Sequence, residues 1–246
     1  KLTANLSLNH RSSDERFKLQ LSTSFGSDNN QQFDGSSFVS TALSLPPNAP
    51  ALYTDDGELN WEDSSWSNPL ATLYRESEAR VQQLISNLSL SYAITPQLEA
   101  RLSTGYTLLN SEELTEQPIR FYDPALWANA RSRSLHITAG RQSWIVEPQL
   151  NYRNTWGRFN LDALAGSTFQ HRKNTALNIV GTGYANDQLL GNLAAAEQLS
   201  VIANSIQEYA YAAAFGRIGL HYAGKYYLNL TGRRDGSSRF GPSRRF

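Results

Sequence analysis

Apolar and polar residues alternate with a period of two along most of this chain. In the first ten residues Leu2, Leu6 and Leu8 fall on one face, whereas Asn5 and Ser7 fall on the other. A period of two is that of a β-strand whose two faces meet different surroundings. The same alternation returns in seven further segments, so the sequence predicts eight strands and an all-β fold.

The connections between these segments alternate in length. Short turns are predicted near residues 13, 95, 156 and 224, and long segments follow residues 26, 110 and 173. If the strands are antiparallel, every long connection lies at the same end of the sheet. Bacterial outer-membrane barrels have this arrangement, with short periplasmic turns and long extracellular loops. The pattern favours an antiparallel transmembrane β-barrel wall, and a soluble β-sandwich is the alternative.

Two stretches of the long segments have a local pattern of their own. Residues 135–139 suggest a short strand leading into or out of the second long segment, whereas residues 189–202 have helical composition because of Ala194, Ala195 and Ala196. Aromatic residues near the predicted strand ends fit the aromatic girdles of a membrane barrel. These residues are Tyr92, Tyr106, Trp144, Tyr152, Trp156 and Tyr222.

Composition excludes several classes of protein. The 22 basic and 22 acidic residues give a net charge of zero, which removes the electrostatic argument for binding nucleic acid. The chain has no cysteine, so disulfide scaffolds and cysteine-based zinc sites are excluded. No signal peptide opens the sequence, and we therefore expect it to be an internal part of a longer protein.

No arrangement of residues suggests catalysis. The histidines are far apart, and the sequence has no phosphate-binding loop and no Gly-x-Ser-x-Gly motif. The acidic turn at residues 55–58 could offer oxygen ligands to calcium, but its spacing differs from that of an EF-hand and a hydrated turn is favoured. We therefore expect no enzymatic activity, no cofactor and no metal.

The C-terminal hairpin carries a family resemblance. Its second strand ends in Arg233-Arg-Asp-Gly-Ser-Ser-Arg-Phe-Gly241, and its first contains Phe215-Gly-Arg-Ile-Gly219. These motifs resemble the SusC/RagA family of TonB-dependent transporters, found in the outer membrane of Bacteroidota. Members of this family have a 22-stranded barrel around an N-terminal plug. The resemblance implies that residues 1–246 form part of one barrel domain, without the plug, the signal peptide and the closing strands.

The resemblance also implies a function and partners. Family members import oligosaccharides or peptides across the outer membrane, with a SusD-like surface lipoprotein at the barrel mouth and TonB as the source of force. Outer-membrane lipids would surround the wall. Two other hypotheses stay open: a transporter-like structural subunit that docks partners through its loops, and a soluble β-rich adhesin or enzyme accessory domain.

Two groups of residues are candidates for the functional site. Aromatic rings in the long segments could stack on sugars or pack against a partner, or could pack their own loops. They are Tyr53, Trp61, Trp66, Tyr74, Tyr122 and Trp127.

The second group is the family motif, for which a structural role is favoured over ligand contact. We expect it to form a turn at the outer strand end, with arginine–aspartate pairs that tie neighbouring strands. Its residues are Arg233, Asp235, Gly236, Ser237, Ser238, Arg239, Phe240 and Gly241.

Overall fold

The computed structural model describes residues 1–33 and 38–241. Eight antiparallel strands form one sheet in chain order, each strand pairing with the next. The strands are β1 (Leu2–Arg11), β2 (Phe17–Phe33), β3 (Glu76–Ala93), β4 (Leu98–Gln117), β5 (Arg133–Trp156), β6 (Phe159–Tyr184), β7 (Ala196–Tyr222) and β8 (Tyr226–Ser237). Within these described residues, the connections contain one helix, α1 (Phe38–Ser44), and short 3-10 turns. The predicted all-β fold of eight antiparallel strands is confirmed.

The sheet is a single layer without a hydrophobic core. In the described part of the chain, the buried apolar residues are Ala71, Val180, Tyr184, Leu190 and Ala213. The accessible surface is 16453 Å², whereas a compact monomer of this mass exposes about 11,000 Å². A soluble sandwich needs a second layer to cover its apolar face. The described sheet supplies no such second layer, and its apolar face stays uncovered.

Strand register gathers the apolar residues on one face. Leu19 lies opposite Leu90, and Leu90 lies opposite Leu102. In the adjacent row Ser89 lies between Gln20 and Ser103 on the other side of the sheet. We call these two sides the apolar face and the polar face.

The apolar face contains a polar interruption that is satisfied locally. Thr23 and Ser86 lie opposite each other on β2 and β3, and their hydroxyl oxygens are 2.9 Å apart. A hydroxyl left without a partner in hydrocarbon would cost free energy. The cross-strand hydrogen bond removes that cost, so the interruption is compatible with contact with lipid.

The apolar face has the height of a membrane. Its apolar band covers residues 84–92 of β3, 100–108 of β4 and 144–152 of β5. A tilted strand needs about 9–11 residues to cross the hydrocarbon layer. Beyond the band, the same face becomes polar on five successive strands, at Gln82, Asn110, Gln142, Lys173 and Glu208.

Aromatic residues mark both edges of the band. Tyr106 and Trp144 lie opposite each other at the edge nearer the long connections. The aromatics of the other edge lie close to the short turns and are Tyr92, Tyr152, Trp156 and Tyr222. All six lie on the apolar face, where interfacial girdles of a barrel are found.

The strands extend far beyond the band, and the predicted starts of the long segments are wrong. β2 continues to Phe33, β4 to Gln117 and β6 to Tyr184. In the described residues, the long connections are 38–75, 118–132 and 185–195. Beyond the membrane both faces of a strand meet water or loops, so the apolar–polar contrast fades while the hydrogen-bonded ladder continues.

Two local expectations have different outcomes. Residues 135–139 form a strand, as expected, and they belong to β5, which runs without interruption from Arg133 to Trp156. The helical preference of residues 189–202 does not produce an α-helix, because they hold the end of one 3-10 turn, a second turn at Leu193–Ala195 and the start of β7. Pairing of β7 with β6 overrides the helical preference of the alanines.

The predicted placement of the connections is confirmed. Each long connection joins an even-numbered strand to the next, and the order of the strands places all three at one rim. This rim carries the candidate site. No helix in the described ranges is long and apolar enough to cross a membrane.

Candidate functional site

The three long connections contact one another at the rim. We call them L1 (residues 38–75), L2 (118–132) and L3 (185–195). The Ser64 hydroxyl of L1 donates to the Asp123 carboxylate of L2. The Ile119 amide of L2 donates to the Asp187 carboxylate of L3 at 3.0 Å. L2 therefore links the other two connections into one surface.

Cation–π contacts strengthen the link between L1 and L2. The Arg120 guanidinium lies 4.9 Å from the centre of the Tyr74 ring. The Arg75 guanidinium lies 5.9 Å from the centre of the Phe121 ring. Each pair takes its cation from one connection and its ring from the other, so both contacts resist separation of the loops.

Asn68 organises L1. Its side chain is 3% exposed, and its Nδ2 donates to the carbonyls of Leu52 at 2.7 Å and Asn60 at 2.9 Å. Its Oδ1 accepts from the Leu70 amide at 3.0 Å, at the start of the turn Pro69–Tyr74. An Asn before Pro suits this position, because Asn caps the free amides and Pro fits the first turn.

Asp123 has the same role in L2. Its carboxylate accepts from the Ala125 amide at 2.9 Å, ahead of the turn Pro124–Leu126. The side chain is nearly buried and also receives the Ser64 hydroxyl. Asp123 therefore caps its own connection and holds L1 in place.

We expect Asp123→Ala to loosen L2 and its contact with L1. Loss of the cap costs about 0.5–2 kcal/mol, and the Ser64 hydroxyl loses its acceptor. Hydrogen exchange of the full-length protein should show faster exchange of the amides in both L1 and L2. Asp56→Ala, at an exposed aspartate of L1, is the control. Unchanged exchange in L1 would contradict the linking role.

The structure divides the six candidate loop aromatics. Three of them pack the loops: Tyr74 lies under Arg120, Trp66 donates through Nε1 to the Asn60 carbonyl at 3.1 Å, and the Tyr122 hydroxyl accepts from Gln117 at 2.6 Å. Trp61 is half-buried. Trp127 donates through Nε1 to the Tyr122 carbonyl at 2.9 Å but stays 45% exposed, and Tyr53 is 54% exposed, so these two rings keep accessible surface.

Exposed aliphatic side chains were not identified from the sequence. Val39 and Leu43 lie one helical turn apart on α1 and are largely exposed, and Leu126 is exposed beside Trp127. The spacing of Val39 and Leu43 was the available signal. Together with Tyr53 and Trp127 they give the rim an apolar component.

The family motif forms a cluster on the polar face of β7 and β8. The Arg233 side chain donates to Asp235 at 2.8 Å and to the Tyr211 hydroxyl at 2.6 Å. The Tyr211 hydroxyl also donates to Asp235. The arginine–aspartate pair thus lies within one strand, and the expectation that it bridges strands is wrong; Tyr211 makes the link to β7.

The motif then ends β8. Ser238 exchanges hydrogen bonds with Ala210, because its amide donates to the Ala210 carbonyl at 2.9 Å and its hydroxyl accepts from the Ala210 amide at 3.0 Å. The turn itself lies at residues 238–240, whereas Asp235 and Gly236 belong to the strand. The Arg239 guanidinium lies 4.9 Å from the centre of the Tyr209 ring. Gly241 ends the described chain, after the exposed Phe240.

Acidic residues gather beyond the apolar band near L3. Burial, with the nearby charges of Glu76, Glu78 and Asp187, raises the pKa of the Glu116 carboxyl. Burial also lowers the pKa of the His136 imidazole. In the described ranges no group of His, Asp and Glu has the arrangement of a metal site.

Curated relatives are TonB-dependent receptors. No protein-family model matches the chain. TonB-dependent receptor P26 of Formosa agariphila is 25% identical over 217 residues, which cover 83% of this chain and 21% of the relative. TonB-dependent receptor P3 of the same organism is also 25% identical, covering 86% of this chain and 21% of the relative. The chain spans about a fifth of the length of these relatives.

Solved structures show the same wall. Three structures of the RagAB peptide transporter match 99% of this chain and 28% of theirs, with TM-scores of 0.76, 0.76 and 0.77 at 17%, 18% and 19% identity. The fold is thus that of a transmembrane β-barrel wall. The resemblance to TonB-dependent transporters and the outer-membrane location are confirmed. The relatives are named as receptors and not as enzymes, as expected.

Proposed function

We propose that this chain is the wall and rim of an outer-membrane importer that takes up oligosaccharides or peptides with energy from TonB. The observation that carries the proposal is a membrane-high apolar face combined with three linked connections at a single rim. Similarity to TonB-dependent receptors supports the source of energy. Nothing in this role requires chemical transformation of the substrate.

The rim is proposed to receive a SusD-like lipoprotein. Tyr53 and Trp127 offer exposed aromatic surface on L1 and L2, and Val39 and Leu43 add aliphatic surface on α1. Aromatic side chains are common among residues that dominate binding energy at interfaces. Because the connections are tied together, this surface is ordered before a partner arrives, which lowers the entropic cost of binding.

We expect the full-length protein to support growth of its host on oligosaccharides or peptides only when TonB is present. A deletion strain complemented with the wild-type gene would be grown on purified oligosaccharides and on peptides as carbon sources, with and without TonB. Import is supported if growth stops when the gene is deleted, and also stops in the complemented strain when TonB is absent. Partner binding without any growth defect would instead favour the structural-subunit alternative.

The rim can be tested in the same strains. The double variant Tyr53→Ser with Trp127→Ser should lower the affinity for a co-purifying lipoprotein by more than about tenfold. Tyr227→Ser is the control, because Tyr227 is also exposed but lies on the polar face beside the opposite rim. Equal loss of the partner in both variants would contradict the assignment of the rim.

A further inference from the structure

The polar face of β5–β8 carries arginines without a neighbouring carboxylate. Two other arginines of this face are neutralised by one carboxylate: Asp162 pairs with Arg153 at 2.8 Å and with Arg217 at 3.3 Å. In the described part of the chain no ion pair involves Arg141, Arg172 or Arg239. Guanidinium groups stay ionised in proteins, so this region carries uncompensated positive charge.

These arginines lie close together. Arg172 of β6 lies opposite Tyr209 of β7, and the Arg239 guanidinium lies over the ring of that tyrosine at 4.9 Å. Arg141 of β5 lies opposite Asn174, to which its Nε donates at 3.2 Å. Arg141 and Arg172 therefore occupy adjacent rows of the polar face.

The rest of these two rows is neutral. The row of Arg172 continues through Ser143, Thr107 and Ile85, and the row of Arg141 continues through Leu109, Gln83 and Gly26. The nearest acidic residue along β7 is Glu208, but it lies on the opposite face and pairs with Lys173 at 3.4 Å. The sheet itself thus supplies no counter-charge for these arginines.

The position of these arginines along their strands places them between the rim and the apolar band. Gln142 and Lys173, which directly follow Arg141 and Arg172, mark the outer edge of the apolar band on the other face. The arginines therefore lie just inside the mouth of the barrel, between the loop rim and the membrane interior. Tyr209 adds an aromatic face, stacked on Tyr211 with centroids 6.4 Å apart.

We propose that Arg141, Arg172, Tyr209 and Arg239 form a subsite that selects oligomeric substrates bearing carboxylate or sulfate groups. This inference rests on the proposed import function and names a class of substrate for it. Guanidinium forks bind planar carboxylates through two parallel hydrogen bonds and also suit sulfate. The Tyr209 ring holds the Arg239 guanidinium over its face and so fixes the position of that charge beside Arg172.

Titration of the purified full-length protein with charged and neutral probes tests the subsite. The probes are oligogalacturonate, sulfated galacto-oligosaccharide, pentaglutamate and an uncharged galacto-oligosaccharide. We expect at least one acidic probe to bind more tightly than the uncharged one, and the binding to weaken as salt is added. Comparison of oligogalacturonate, sulfated oligosaccharide and pentaglutamate then shows which source of negative charge is preferred.

Substitutions test whether Arg141 and Arg172 cause the preference for acidic probes. The double variant Arg141→Gln with Arg172→Gln should lower the affinity for the preferred acidic probe by about tenfold or more, with the affinity for the uncharged probe within about twofold. Arg101→Gln is the matched control, since Arg101 lies on the polar face nearer the short turns. It should leave both affinities unchanged.

Three outcomes would overturn the subsite. One is no binding of any acidic probe, and another is equal loss for acidic and uncharged probes. The third is that the double variant lowers the melting midpoint of the probe-free protein but keeps the preference for acidic over uncharged probes. This result would mean that the arginines pair with carboxylates elsewhere in the longer protein. TonB-dependent growth without acidic preference removes the subsite alone, whereas acidic preference without TonB-dependent growth removes the proposed function.

Discussion

Leu102→Arg is expected to abolish most of the folded protein in the outer membrane, whereas Ser103→Arg at the next residue leaves it nearly unchanged. Leu102 lies between Leu90 and Pro148 near the middle of the apolar band. A lipid-facing arginine at the midplane of a barrel costs about 2–4 kcal/mol. Ser103 lies on the polar face, where an added charge meets water or other polar groups.

The measurement is the folded fraction of the full-length protein in outer-membrane preparations, read from its heat-modifiable migration on gels. The two substitutions introduce the same side chain one residue apart on β4, so differences in synthesis and export largely cancel. Equal folded fractions for the two variants would show that the leucine rows do not face hydrocarbon. The assignment of both faces would then fail.

Gly181→Val is expected to disrupt the rim next to L3. A Cβ at Gly181 would collide with the Tyr184 hydroxyl and approach the Ala196 Cβ within 3.2 Å. The Tyr184 hydroxyl is paired with the fully buried Ser134 hydroxyl at 2.6 Å. Overpacking costs about 1–3 kcal/mol, and a buried hydroxyl without a partner costs about another 1–3 kcal/mol.

Limited proteolysis of the full-length protein should detect this change as faster cleavage in L3. Gly26→Val is the control, because a Cβ at Gly26 meets no atom within 4 Å. Comparable protection of L3 in the two variants would mean that the Ser134–Tyr184 pair does not hold the rim. A loss of folded protein in Gly181→Val with intact L3 would point to a barrel defect instead.

The sequence predicted the strands because their signal is local. Leu19, Leu21 and Phe25 alternate with Gln20 and Ser22 whatever the rest of the chain does. Turn residues fixed the short connections in the same way. The count of strands, their faces and the common side of the long connections follow from these local signals and from antiparallel order.

The strand segments between the apolar band and the long connections could not be predicted in this way. From Asn110 to Gln117 the chain stays in β4, but polar residues point to both sides. Alternation of apolar and polar residues reveals a strand only where its two faces meet different surroundings. Beyond the membrane both faces meet polar surroundings, so the alternation is lost. Hydrogen bonding to β3 and β5 keeps the strand regular there.

The candidate site depended on contacts that are distant in sequence. The sequence does not distinguish the six loop aromatics, whereas the structure covers Tyr74 with Arg120 and leaves Tyr53 and Trp127 exposed. Likewise, Asp162 neutralises Arg217 across 55 positions, whereas Arg172 faces Tyr209. Strand register decides such pairings, and register is a property of the assembled sheet.

The sequence by itself therefore determined the fold class, the two faces and the rim, because each depends on neighbours two residues apart or on a short turn. Only the tertiary structure decided which loop side chains remain available and which arginines keep an unbalanced charge. Those properties depend on which residues meet across strands and between connections. The order of residues along the chain does not by itself specify these contacts between residues distant in sequence.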